Sequence, residues 1–127
     1  MTKKLLIVDD EAHIRMLIEQ TLEELEDSGV EFLTAENGEQ ALEIIQKENP
    51  QLVFLDVMMP KLNGMEVCRR VKKELSLDRV YIVLLTAKGQ ELDRLKGHEV
   101  GADVYMTKPF DPEVLLNKAK EVLQIND

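Results

Sequence analysis

Leu5-Leu6-Ile7-Val8-Asp9-Asp10-Glu11 is the stretch that decides the fold. Four apolar residues in a row are too few for a buried helix. They fit a strand covered on both faces, as in a parallel sheet. Acids stop the run at once. The same device recurs along the chain. Leu52-Val53-Phe54-Leu55 runs into Asp56, and Val80-Tyr81-Ile82-Val83-Leu84-Leu85 runs into Thr86. Val104-Tyr105-Met106 comes just before Lys108-Pro109. Val30-Glu31-Phe32-Leu33-Thr34 alternates more and reads as a strand nearer a sheet edge.

Between these runs the apolar residues take a helical period. Ile14, Leu17, Ile18, Leu22 and Leu25 predict one helix after the first strand. Asn37 with Gln40, and Asn63 with Glu66, have capping-box spacing at the second and third helices. Asn49-Pro50 ends the second. Val67, Cys68, Val71 and Leu75 would face inward from the third. The fourth helix, around Leu92 and Leu95, is the weakest, with glycines at 89, 97 and 101. Asp111-Pro112 starts the last helix as N-cap and first residue. Leu115, Ala119, Val122 and Leu123 form its expected buried face. Five strand–helix repeats with right-handed crossovers predict a doubly wound α/β domain.

Composition sets the outer bounds. A chain of 127 residues predicts one domain, able to bury roughly 65–70% of its unfolded surface without a disulfide or structural metal. Lys and Arg number 16 against 25 Asp and Glu, a net charge of −9. Such a domain repels nucleic-acid phosphate and anionic lipid. A single cysteine excludes an internal disulfide and a Cys-rich zinc site, and His13 and His98 are too isolated for a His-based centre. No apolar stretch is long enough to span a membrane. Lys3-Lys4 before the first apolar run faintly resembles a signal peptide, but the run is too short and acids follow. A soluble cytoplasmic domain is the expectation.

In doubly wound folds, ligands bind outside the carboxyl ends of the strands. There the sequence places Asp9 and Asp10, Asp56, Thr86, and Lys108-Pro109. Three carboxylates crowded together repel one another unless a cation sits among them. Oxygen ligands suit a hard divalent ion, and Mg²⁺ takes one or two carboxylates and keeps several waters. Read singly, Asp9 or Asp10 is equally a helix cap, Thr86 a β-branched strand end, and Lys108 a salt-bridge partner. Read together, they suit phosphoryl transfer, which needs positioning and electrostatics. A carboxylate can take the phosphoryl group as an aspartyl phosphate. Asp56, single and at the end of a central strand, is the best nucleophile.

These residues resemble the receiver (response regulator) domain of bacterial two-component signalling systems. The resemblance rests on Leu6-Ile7-Val8-Asp9-Asp10-Glu11, Asp56-Val57-Met58-Met59-Pro60 with Gly64, Thr86-Ala87, Gly101-Ala102-Asp103 and Lys108-Pro109-Phe110. It covers essentially the whole chain, so residues 1–127 are expected to form a single receiver domain. It implies a flavodoxin-like three-layer sandwich with strand order 2-1-3-4-5 and five helices. Asp56 would accept a phosphoryl group from the phosphohistidine of a sensor histidine kinase or phosphotransfer protein. Asp10, Asp56 and the backbone carbonyl of Met58 would bind Mg²⁺ directly, or Mn²⁺ in its place, and Asp9 would hold it through water. Thr86 and Lys108 would bind phosphoryl oxygens, and Lys108-Pro109 would be a cis peptide. Tyr105 would turn inward as Thr86 moves, the alternative being an aromatic packed in place. Met58 and Lys88 flank the site.

The kinase would dock near Ile14, Arg15, Ile18, Pro109 and Phe110, although Ile14 and Ile18 suit the core better. The output surface would be the fourth helix, fifth strand and fifth helix, acting on a downstream protein target or an attached output domain. The domain would be a monomer or a phosphorylation-dependent dimer, with no direct contact to nucleic acid or membrane. It would catalyse only its own phosphorylation and dephosphorylation. The sequence leans toward a free-standing domain that signals by binding a partner or relaying the phosphoryl group.

Two rivals fare worse. A phosphatase of the haloacid dehalogenase type also uses a strand-end aspartate. It needs a second Asp two positions on, where this chain has Met58, a thioether that transfers no protons. A flavin-binding module needs a Ser/Thr/Gly-rich loop after the first strand, where Asp9-Asp10-Glu11 would repel phosphate.

Overall fold

A computed structural model describes residues 2–59, 61–87 and 99–125. Five parallel strands form one sheet: β1 (Lys3–Val8), β2 (Val30–Ala35), β3 (Leu52–Asp56), β4 (Tyr81–Ala87) and β5 (Val104–Lys108). Their order is β2-β1-β3-β4-β5, as expected. Three α-helices alternate with the strands: α1 (Ala12–Thr21), α2 (Gly38–Glu48) and α3 (Gly64–Arg69). A C-terminal helix spans Pro112–Leu123. The fourth expected helix, with Lys88, lies outside the described residues over 88–98; residues 99 and 100 are helical.

The unbroken apolar runs hide a period of two, because both faces are covered. Leu6, Val8, Val53, Leu55, Ile82 and Leu84 meet Ala41 and Ile45 of α2 and Val67, Cys68 and Val71 on the α3 side. Leu5, Ile7, Leu52, Phe54, Val83 and Leu85 meet Ile18 of α1 and Leu115, Ala119 and Leu123 of the C-terminal helix. The result is a three-layer sandwich with two separate cores.

Asn37, Asn63 and Asp111 cap their helices as expected, accepting backbone N–H bonds from Gln40, Glu66 and Glu113. Neither capping box closes on its own cap residue. The Gln40 amide oxygen accepts from Glu36 N–H, one residue early, and the Glu66 carboxylate turns to Arg69 and Arg70.

The long first helix is corrected. α1 stops at Thr21, and residues 23–28 form a 3₁₀ helix. Leu22 and Leu25 are still buried, because a spacing of three suits a three-residue turn. Leu17, at the edge of the predicted stripe, is 47% exposed. Leu75 is also exposed rather than inward. The turn Arg70–Glu74 is π-helical, and the Leu75 N–H donates to the Arg70 carbonyl. That extra residue rotates Leu75 off the apolar face. β5 is an edge strand, only partly buried along its length, and not the doubly covered strand its apolar run implied.

Candidate functional site

The order β2-β1-β3 puts the carboxyl ends of β1 and β3 side by side. Val8 pairs with Leu55, so Asp9 and Asp56 emerge together at the rim. Carboxylate oxygens of Asp9, Asp10 and Asp56 lie within 4.8 Å of one another, a group able to hold a cation. Asp9 and Asp56 are buried and Asp10 is exposed. Beyond β3, Asp56 pairs with Leu85, so buried Thr86 stands one residue further out on β4. Lys108 ends β5 opposite Ala87.

Lys108 ties the site together. Its Nζ lies 2.8 Å from Asp9 Oδ2 and 3.0 Å from Asp56 Oδ1. Burial works against its ammonium, but these two bonds more than offset that, and its pKa rises above the usual lysine value. Burial also pushes Asp56 up from 3.8 to about 6. Lys108 opposes the rise, while the charges of Asp9 and Asp10 add to it. One lysine thus faces more negative charge than it can neutralise. Oxygen donors at this spacing, with two acids buried and one open to solvent, fit a hard divalent cation that keeps part of its water. Asp9, Asp10 and Asp56 would hold it.

Backbone geometry fixes the acids. Asp9 closes an Asx turn, its Oδ1 accepting the Glu11 N–H at 2.9 Å. Its own N–H donates to the Ala35 carbonyl, and Val57 N–H donates to Leu85 O. Gly64 starts α3 directly against β3. A Cβ there would overlap the Asp56 carbonyl oxygen, so only glycine fits. Gly38 is in the same position against Leu62. Gly64 was legible only as part of a motif, because nothing local in the sequence reveals which backbone it will touch.

The remaining predicted residues are dispersed. Met58 is 62% exposed beside the rim. Tyr105 packs against the α2–α3 core with its hydroxyl oxygen shielded from solvent. The Lys108-Pro109 peptide is cis. Ile18 is fully buried and unavailable for docking, and Arg15 turns back onto the Asp9 carbonyl. Ile14 is half-buried; Pro109 is exposed and Phe110 half-buried at the β5 exit. These last two line a surface cavity of about 360 Å³ with Tyr105, Met106, Thr107, Asp111 and Val114. Among the described residues no helix is long and apolar enough to cross a membrane.

Comparison with known proteins gives a consistent picture. Residues 5–120 match the family model described as the response regulator receiver domain. A probable transcriptional regulator, ycf27, from Porphyra purpurea is 49% identical over 98% of the chain, covering 49% of its own length. The alkaline phosphatase synthesis transcriptional regulatory protein PhoP of Bacillus subtilis is 44% identical over 98% of the chain and 50% of its own length. The chain therefore spans about half the length of these curated relatives. A crystal structure of a putative response regulator from Chloroflexus aurantiacus superposes with a TM-score of 0.85 at 34% identity. It covers 98% of this chain and 99% of that one.

Proposed function

Since the chain belongs to the response regulator receiver family of two-component signalling, we propose that Asp56 is its phosphoacceptor and that phosphorylation switches the surface around β5. One observation carries this reading: Asp9, Asp10 and Asp56 converge at the strand ends while Lys108 reaches both buried acids. We further propose that residues 1–127 act as one receiver domain.

In the reaction an Asp56 carboxylate oxygen attacks the phosphorus of a phosphohistidine. An O–P bond forms and the N–P bond breaks. The electron pair returns to the imidazole nitrogen, which then takes up a proton. With a pKa near 6, Asp56 is ionised at pH 7 yet poorly solvated, as suits a nucleophile. Asp10, Asp56 and the Met58 carbonyl, together with Asp9, would hold Mg²⁺, whose charge would offset that of the transferring group. The Lys108 ammonium would leave Asp9 and Asp56 for a phosphoryl oxygen, and the Thr86 hydroxyl would donate to another. Moving Thr86 would bias the Tyr105 position, shifting a two-state equilibrium.

A sensor histidine kinase or phosphotransfer protein is the proposed donor, docking by Ile14, Pro109 and Phe110. A downstream protein or an attached output domain is the proposed receiver of the signal. The transcriptional regulators among the relatives support the latter. The proposed location is the cytoplasm.

The test is intact mass after incubation with acetyl phosphate, with and without Mg²⁺. Wild type should gain one phosphoryl group only with Mg²⁺, and Asp56→Asn should gain none. Labelling that survives Asp56→Asn would refute Asp56 as the acceptor.

A further inference from the structure

Arg15 sits in the second turn of α1, but its side chain runs back to the rim. Its Nη1 donates to the backbone carbonyl of Asp9 at 2.6 Å in a partly buried setting. We propose that Arg15 is a positioning residue that fixes the Asp9–Asp10 corner, and so aims the Asp10 carboxylate at the cation. This rests on the reading of the acid cluster as the Mg²⁺ site.

Four elements grip Asp9. Its N–H donates to Ala35 of β2, and its Oδ1 accepts from Glu11 in its own turn. Its Oδ2 accepts from Lys108 at the end of β5, and its carbonyl accepts from Arg15 of α1. The first three hold the amide and side chain of Asp9. Among the described residues, only Arg15 holds the peptide that leads into Asp10. That peptide sets where the exposed Asp10 carboxylate points, since Asp10 is the acid that burial does not constrain.

Apart from the Glu11 N–H bond to Asp9 Oδ1, the start of α1 is weakly fastened. Its N-cap, Glu11, makes no side-chain cap bond, and no acidic residue follows in the first turn. The other three α-helices are capped by Asn37, Asn63 and Asp111. At α1 the usual local fastening is replaced by a guanidinium reaching back to the strand exit. A charged donor on a partly buried carbonyl makes a strong bond. A guanidinium also projects a fixed planar fork, which suits holding one orientation.

The two effects of Arg15 on a cation oppose each other. Its positive charge near the rim repels Mg²⁺, whereas its hold on the corner preorganises the ligands. Positioning predicts that losing Arg15 weakens binding although a positive charge is removed.

The experiment compares the whole chain with Arg15→Ala and Arg15→Lys. Mg²⁺ affinity is measured by calorimetry, and Glu11 amide hydrogen exchange is measured without metal. Arg15→Ala should weaken Mg²⁺ binding about tenfold, the scale of outer-shell substitutions at metal sites. It should also speed Glu11 exchange about tenfold as the corner loosens. Arg15→Lys, which keeps a charged donor, should recover part of both. Tighter Mg²⁺ binding by Arg15→Ala would mean the charge alone matters, and would overturn the proposal. So would unchanged affinity and exchange, even with a lower melting temperature. If wild type binds no Mg²⁺, the metal reading fails, and Glu11 exchange alone decides whether Arg15 holds the corner.

Discussion

Two ion networks in this molecule are built from similar residues and behave differently. On the outer side of α3, Arg69 bonds to Glu66 and Glu74, and Arg70 also bonds to Glu66. Charge is balanced there, and every member is partly exposed to solvent. At the rim, Lys108 faces Asp9 and Asp56, with Asp10 beside them. There the acids are in excess and two are buried. The contrast appears in the acids themselves. The two arginines hold Glu66 down at about 2, whereas burial drives Asp56 up to about 6. Similar ion pairs thus yield a relaxed surface network in one place and an electrostatically stressed site in the other. The stress is what a bound cation would relieve.

Removing the lysine should break this contrast most severely. Lys108→Ala leaves two buried carboxylates without their shared cation. Breaking a buried pair from one side costs about 3–5 kcal/mol. Denaturant unfolding at pH 7 should show a loss of that size, with much of it recovered by Mg²⁺. A loss under about 1 kcal/mol would mean the acids are better solvated than their burial implies.

Removing the acid should act in the opposite direction. The rise of Asp56 from 3.8 to about 6 amounts to about 3 kcal/mol against the ionised folded state. Between those two values the folded state binds more protons than the unfolded chain. This group's contribution to stability therefore falls as pH climbs from about 4 to 6, and the full cost is present above that. Asp56→Asn should raise stability at pH 7 by up to about 3 kcal/mol and by almost nothing near pH 4. A variant equally stabilised at both pH values would show that desolvated charge is not the cause.

How much of this was legible in the sequence depends on the range of the signal. Strand ends, helix caps at Asn37, Asn63 and Asp111, and the acids closing each apolar run are local patterns, and the fold follows them. Asp9, Asp56 and Lys108 could be placed at one rim because topology carries strand ends there. What escaped depends on contacts between distant residues. The α2-side and α1-side residues of each strand look alike when both faces are apolar. Leu75 left the core because of one inserted π turn. The resemblance made Arg15 a docking candidate, and nothing in the sequence says that its long side chain folds back to a strand exit.

Mg²⁺ sharpens the comparison from outside. A ligand that binds only the folded state stabilises it by about 2.7 kcal/mol at a concentration one hundred times Kd. Thermal unfolding in MgCl₂ should show such a gain in wild type. Asp10→Asn should abolish most of it while leaving the metal-free protein nearly unchanged, since Asp10 is exposed. A gain that survives Asp10→Asn would place the cation elsewhere.

The smallest effect belongs to the surface network, and its size is the control for the whole comparison. Glu66 carries the lowered carboxylate value, but it is bonded to two arginines in water. Exposed pairs gain little, because ordering long side chains costs entropy and solvent weakens the attraction. Glu66→Gln should therefore lower the melting temperature only slightly, and 1 M salt should erase the difference, since screening acts within a few ångströms there. The rim should resist the same salt better, because Asp9 and Asp56 are buried and buried pairs are screened much less. If instead Glu66→Gln destabilises as much as Lys108→Ala, burial is not what separates the two networks. The stress at the rim would then lose its link to the function proposed for it.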